Sequence, residues 1–461
     1  MAARDKIVPL VVACPLFLQN LDTSVMATAL PTMAHSLHVR VLYLDLAITS
    51  YLLSLAVFLP LSGWCAERFG TRRVFCGAIA FFSLGSALCG AANSLPSLVL
   101  FRVLQGLGGA MMVPVGRLIL LRSVPSARMV AAMVWFTVPP TIGRMAGPLF
   151  GGAIVTWVSW RWIFLVNVPF GLLGIAMALT FLEKHRDDDA PAPFDAVGFL
   201  LLALGLTALL GALETTGKAL VAGWVTGTTA ALGALTLGLY VWRSRRKASP
   251  IIDLAILRYR TYRAAIFGGL PLRIAIGATP FLLPLMLQVG FGLSPLVSGI
   301  LTVASAIGSL ATRAVMAQTI RRFGFRSLLI GATILASLFR ASYSLFQPGT
   351  PHVLIFCVLL LGGLVNSMGM VALQTLGFSQ ILKPHMSHAT TFSSMAQQVS
   401  VSLGVVIGAE LVSAAASWHG RSSGHLLAQD FSPAFVALSA ITLLSLFFFV
   451  PLGHDEGAEL R

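Results

Sequence analysis

The sequence predicts an all-α membrane protein, with fourteen transmembrane helices arranged as two six-helix bundles and two linker helices inserted between them. Three observations predict it. Hydrophobic residues fill 57% of 461 positions and charged residues only 10%, with a mean hydropathy of +0.88, which leaves too little polar surface to cover a water-soluble globule. The apolar residues come in runs long enough to cross a bilayer, for which a helix needs about 20 residues. A short basic sequence, Arg68-Phe-Gly-Thr-Arg72, returns as Arg322-Phe-Gly-Phe-Arg326 at the same place in a second block of runs.

Taken in order, the runs cover about 7–31, 46–66, 74–93, 97–121, 129–156, 161–182, 196–214, 221–242, 264–289, 296–318, 327–346, 352–376, 391–414 and 432–452. The first lacks the short core and small-residue cleavage site of a signal peptide, so it reads as a span. Basic residues crowd every second loop: Arg72 and Arg73, Arg122 and Arg128, Arg243 to Lys247, Arg258 to Arg263, Arg321 to Arg326. Cytoplasmic loops carry such an excess, which places both termini in the cytoplasm. The net charge of +15 is spread over these loops and not along one amphipathic face, which excludes nucleic acid as the partner and leaves the lipid bilayer.

The basic sequence follows the second and the tenth run, so runs 1 to 6 and 9 to 14 form parallel repeats. The divisions fall at 1–190 for the N-terminal bundle, 191–248 for the two linker helices and 249–461 for the C-terminal bundle. Two halves related by an axis along the membrane normal, with a site at their interface, make a rocking transporter. The connectors, Glu183 to Phe194 and Arg243 to Arg263, are polar; Asp187, Asp188 and Asp189 read as solvated, because no second ligand cluster lies nearby. Five scattered cysteines, Cys14, Cys65, Cys76, Cys89 and Cys357, imply neither disulfides nor a metal site. His385 and His388 have helical metal-pair spacing but lack a third ligand. There is no Gly-Lys-Ser phosphate loop for ATP.

Four stretches are more specific: Leu21-Asp-Thr-Ser-Val-Met-Ala-Thr-Ala-Leu-Pro31 in the first run, the turn Gly63 to Arg73, Arg102-Val-Leu-Gln-Gly-Leu-Gly-Gly109 in the fourth, and Gly143-Arg-Met-Ala-Gly-Pro-Leu-Phe-Gly-Gly152 in the fifth, followed by Trp160 to Gly171. With these, essentially the whole chain resembles the fourteen-helix drug:proton antiporter branch of the major facilitator superfamily, EmrB/QacA-like and of the MdtD type. The resemblance implies a major facilitator fold in a bacterial inner membrane. It also implies export of hydrophobic or amphipathic small molecules by alternating access, with a proton gradient as the driving force, no cofactor and no enzymatic step. A periplasmic adaptor would find little docking surface, since the longest outer loop runs only from Trp418 to Phe431.

Among individual residues, Asp22 is the acid best suited to proton exchange, since a carboxylate within a span must pair, meet water or take a proton. Helix geometry places Arg102 about 6 Å from it in depth, within reach. A fixed ion pair that only holds helices together is the competing reading. Gly143, Gly147 and Gly151 recur every four residues and admit a close neighbour, and Pro148 adds a kink; with Gly152 they form the fifth-helix antiporter motif. Arg144 interrupts that motif where relatives more often carry an uncharged residue.

In the turn, Gly63 and Gly70 permit a sharp bend that sets Glu67 beside Arg68, Arg72 and Arg73. The resemblance makes this a cytoplasmic gate latch, with Glu67 where Asp is usual. Gln105, Arg144, Arg273, Asn366 and Glu410 are the candidate cavity residues. Because intramembrane cations outnumber carboxylates, a dedicated exporter of an anionic metabolite or siderophore also fits the sequence. So does a sensor or scaffold that keeps the fold without transport.

Overall fold

Helices account for nearly all of the computed structural model, which describes residues 3–123, 129–183, 194–216, 222–247, 250–381, 385–420 and 426–453. The Asp187 to Asp189 run and Arg128 lie outside the described residues.

The first block comprises α1 (Ala3–Leu37), α2 (Asp45–Phe58), α3 (Leu61–Phe69), α4 (Thr71–Gly90), α5 (Leu95–Ser123), α6 (Met129–Trp157), α7 (Trp162–Leu165) and α8 (Asn167–Phe181). A hairpin follows, α9 (Ala196–Thr215) and α10 (Gly223–Ser244). The second block comprises α11 (Arg260–Arg263), α12 (Gly269–Leu285), α13 (Pro295–Ser342), α14 (His352–Phe378), α15 (Met386–Trp418), α16 (Ala428–Leu443) and α17 (Leu446–Phe449). Among the described residues, thirteen helical stretches are long and apolar enough to cross a membrane. At the place of the expected fifth span stands α6, a 29-residue helix packed on α1 but outside those thirteen.

Two boundaries differ from the sequence expectation. The second span is broken at Pro60, which ends α2 and starts α3, because proline cannot supply the next helical N–H. The tenth and eleventh runs form one 48-residue helical stretch, α13, turned at Gly324 with φ +72°.

That turn and the one at Gly70, φ +85°, occupy the same place in the two basic sequences. Both require a left-handed backbone that side chains with a Cβ resist. The repetition extends to side chains. Arg72 Nη2 donates to the Leu179 carbonyl at the end of α8, and Arg326 Nη2 donates to the Val450 carbonyl at the end of α17, at 2.8 Å. Each basic turn thus satisfies an orphan carbonyl at the C-terminal end of the last helix of its own block.

The hairpin is tied down at the same end of the molecule. Asp195 caps α9 by accepting from the Gly198 N–H at 3.1 Å, and it receives Lys247 Nζ at 2.8 Å and Arg243 Nη2 at 3.2 Å from the end of α10. Trp64 of α3 meets Phe194 at 5.0 Å between ring centroids, and Phe194 meets Phe199 at 5.7 Å, so an aromatic cluster joins the first basic turn to the hairpin.

The two blocks meet at the end remote from the basic turns. A Cβ on Gly152 of α6 would stand 2.5 Å from the Pro295 carbonyl of α13, and one on Gly299 would run into the Pro148 carbonyl. Gln288 Nε2 donates to the Thr28 carbonyl at 3.0 Å, and apolar side chains of both blocks, Leu30, Met33, Leu283 and Met286 among them, share one core there.

Candidate functional site

Helical spacing puts Arg102 and Gln105, three residues apart on α5, on one face toward α1. There Arg102 Nη1 donates to Asp22 Oδ2 at 2.6 Å, and Asp22 Oδ1 accepts from Gln105 Nε2 at 3.0 Å and from Asn167 Nδ2 at 3.1 Å. Arg102 is held further by donating from Nε to the Ala47 carbonyl at 3.1 Å and from Nη1 to Gln105 Oε1 at 2.7 Å. Its guanidinium lies 4.3 Å from the centroid of the Tyr51 ring. Asn167 also donates to Ser86 Oγ at 2.9 Å, so five helices (α1, α2, α4, α5 and α8) converge on one charge pair.

The pair is dry. Asp22 is 3% exposed, Arg102 1% and Gln105 0%. Of the options a carboxylate within a span has, pairing is the one realised in this conformation, and the amide of Gln105 is engaged by Asp22 and Arg102. A charge pair this deep needs hydrogen-bond partners, and the network supplies them to both carboxylate oxygens and to the guanidinium, while Asn167 Oδ1 and the Tyr51 hydroxyl have none among the described residues. Asn167 and Tyr51 had escaped sequence reasoning. Asn167 lay within the Trp160 to Gly171 stretch, but neither spacing nor composition gave it a partner; Tyr51 carried no signal at all.

The other side of α1 is polar and open. Thr23 is exposed and Asn20 half-buried, in the middle of a helix otherwise apolar. The exposed Arg144 of α6 reaches this face, donating from Nη2 to Asn20 Oδ1 at 2.8 Å. Pro148 lacks the N–H that would bond the Arg144 carbonyl four residues earlier, and Ser24 Oγ donates to that carbonyl at 2.8 Å instead. Gly143, Gly147 and Gly151 permit the close crossing: a Cβ would meet Phe17, Ser24 and Thr28 of α1 respectively. Gly152 belongs to the contact with α13.

In the second half, Arg273 of α12 is 2% exposed, and its Nε and Nη1 have no hydrogen-bond partner among the described residues. Arg340 is equally buried but engaged, donating from Nη1 to Thr442 Oγ1 at 2.6 Å and from Nη2 to Asn366 Oδ1 at 2.9 Å. Asn366 thus serves Arg340, and both it and Glu410 are half-buried. Of the latch residues, Glu67, Arg68 and Arg73 are exposed, and Glu67 makes no ion pair or hydrogen bond among the described residues. Gly63 faces open space. His385 and His388 are half-buried, and no group of three His, Cys, Asp or Glu able to hold a metal occurs among the described residues.

A family model described as "Major Facilitator Superfamily" matches residues 12–405. A relative named "Putative multidrug resistance protein MdtD" from Salmonella newport (strain SL254) is 37% identical over 448 residues, covering 96% of this chain and 94% of the relative. The MdtD of Salmonella typhimurium (strain LT2) matches to the same extent. Among solved structures, a D-xylose-proton symporter superposes with a TM-score of 0.68 at 14% identity, covering 98% of each chain. A POT family transporter in complex with 5-aminolevulinic acid superposes with a TM-score of 0.70 at 14% identity, over 96% of this chain and 95% of that one. At such identity these structures establish the fold alone, while the sequence matches establish the family. The all-helical fold, the repeated basic turns and the match along most of its length make this chain a member of the Major Facilitator Superfamily.

Proposed function

We propose that the protein is a multi-pass exporter of the bacterial inner membrane that moves hydrophobic or amphipathic small molecules outward in exchange for protons. The observation that carries the mechanism is the division of α1 into two faces. One holds Asp22 in its dry network with Arg102, and the other offers Asn20, Thr23 and Ser24 to Arg144 and to open space. Protonation of Asp22 removes half of the ion pair and loosens α1 from α5 and α8. The same helix carries the polar face, so the charge change on one side alters the packing of α6 on the other. In this conformation the acid is occluded, and the proton enters or leaves when α1 shifts.

The working units are 1–190, 191–248 and 249–461. The basic turns face the cytoplasm, as the excess of Lys and Arg there favours. On that assignment the contacts between Gly152 and Pro295 and between Gly299 and Pro148 close the periplasmic side, and the unpaired Glu67 is a released latch. The names of the Salmonella relatives support drugs or other toxic amphiphiles as cargo. A periplasmic adaptor would have only the segment from Trp418 to Phe431 to engage.

The experiment is transport in proteoliposomes under an imposed pH gradient, with the lipophilic dye ethidium as cargo. The gradient is expected to accelerate dye movement, and Asp22→Asn to remove that acceleration by tenfold or more. Unchanged gradient-driven movement in the variant would exclude Asp22 as the coupling acid.

A further inference from the structure

Of the three arginines buried among the described residues, Arg102 and Arg340 have side-chain hydrogen-bond partners and Arg273 does not. Arg102 has Asp22, Gln105 and the Ala47 carbonyl, and Arg340 has Thr442 and Asn366. Arg273, 2% exposed in α12, has two buried N–H-bearing nitrogens with nothing to donate to and no carboxylate paired with it among the described residues. An orphan buried cation is costly, and a chain keeps one where something supplies the missing anion.

The surroundings say what kind of molecule that is. The guanidinium turns back along α12 to Gly269, where an added Cβ would stand 3.2 Å from its Cζ, so the glycine makes room for it. Leu373 of α14 closes the same spot. Near it lies Tyr262, clustered with Phe378 at 6.0 Å and Phe392 at 6.5 Å between ring centroids, and Tyr262 spends its hydroxyl proton on the Ala389 carbonyl at 2.7 Å. One positive charge is therefore set among aliphatic and aromatic groups.

Two features of the backbone point the same way. The segment Ala264–Gly268, just ahead of α12, is π-helical, a rare local widening frequent at functional sites. The crossing of α12 with α15 also repeats that of α1 with α6. Gly404 and Gly408 press on Ile274 and Ala278 as Gly147 and Gly151 press on Ser24 and Thr28. In that register Arg273 takes the place of Thr23, which is exposed on the open polar face of the first half.

We infer that Arg273 is the anchor for a single carboxylate on an otherwise apolar or aromatic cargo molecule. This rests on the transport reading above and names the class of molecule within it.

The test uses the full-length protein in nanodiscs, with 2-naphthoate as the probe and its neutral isostere 2-naphthamide as the comparison, binding being read by calorimetry. Wild type is expected to bind the acid at least tenfold more tightly than the amide. Arg273→Gln should abolish that preference, Arg273→Lys should keep part of it, and without probe Arg273→Gln should unfold at no lower temperature than wild type, since it removes an uncompensated charge. The inference is overturned if wild type does not prefer the acid, if Arg273→Gln retains the preference, or if Arg273→Gln fails to fold, which would mark the guanidinium as structural. Gradient-driven ethidium transport by wild type separates the two readings: dye transport without a preference for naphthoate defeats this inference and leaves the transport reading standing.

Discussion

Replacing Asp22 by Asn separates what its network contributes to the fold from what it contributes to transport. The substitution keeps the shape and leaves an amide oxygen to accept from Gln105 or Asn167, but strands the Arg102 guanidinium, 1% exposed, without its counter-charge. Breaking a buried pair in this way costs about 3–5 kcal/mol, and the retained acceptor returns about 1 kcal/mol, so the loss should be about 2–4 kcal/mol. The double variant Asp22→Asn/Arg102→Gln leaves no net buried charge and should recover about 2 kcal/mol of that loss. Unfolding of the purified protein, titrated in mixed micelles, measures both quantities. The double variant then decides the role of the acid: folded but blind to a pH gradient, it supports coupling through Asp22. If the double variant is stable and still drives ethidium export with the gradient, the pair only holds helices together. If Asp22→Asn alone leaves stability unchanged, the picture of a dry, sealed pair is itself wrong.

Further outcomes follow from the packing. Gly299→Ala places a methyl group against the Pro148 carbonyl, and overpacking of about 2 kcal/mol should shift the balance away from the conformation closed at that end by about thirtyfold, read as increased distances between spin labels on α6 and α13. Ser24→Ala orphans the Arg144 carbonyl that Pro148 leaves free and should cost about 1–2 kcal/mol in the unfolding titration, whereas Ser24→Thr should cost less. Burial opposes ionisation of Asp195, but hydrogen bonds from Lys247, the Gly198 N–H and Arg243 outweigh it and hold the carboxyl below its usual value. Its stabilisation is therefore complete above the unfolded value, about 4, and disappears as pH falls through the lower folded value. Asp195→Asn should lose about 1 kcal/mol at neutral pH, with the gap from wild type closing in acid; a gap independent of pH would contradict the assignment.

The helices were legible because the bilayer demands length and apolarity, properties a sequence displays directly, and the repeat was legible because Gly70 and Gly324 sit in identical basic contexts. The pairing of Asp22 with Arg102 could also be read, since depth along two oppositely running helices follows from residue number alone. What could not be read was azimuth. Asp22 and Thr23 are neighbours in sequence, yet a rotation of about 100° per residue sends the first into a sealed five-helix contact and the second to open space. Gln105 turns into the sealed contact for the same reason, and the glycine neighbours of Arg144 fix which side of α6 meets α1. Direction around a helix is decided by close approaches that glycine and proline allow, and the two halves used the same crossing with different side chains. In the first half the spare polar position is Thr23, beside a neutralised pair; in the second it is Arg273, with no anion of its own among the described residues. If Asp22 couples protons and Arg273 anchors cargo, the asymmetry between two equivalent positions, more than any motif, divides the labour between the halves.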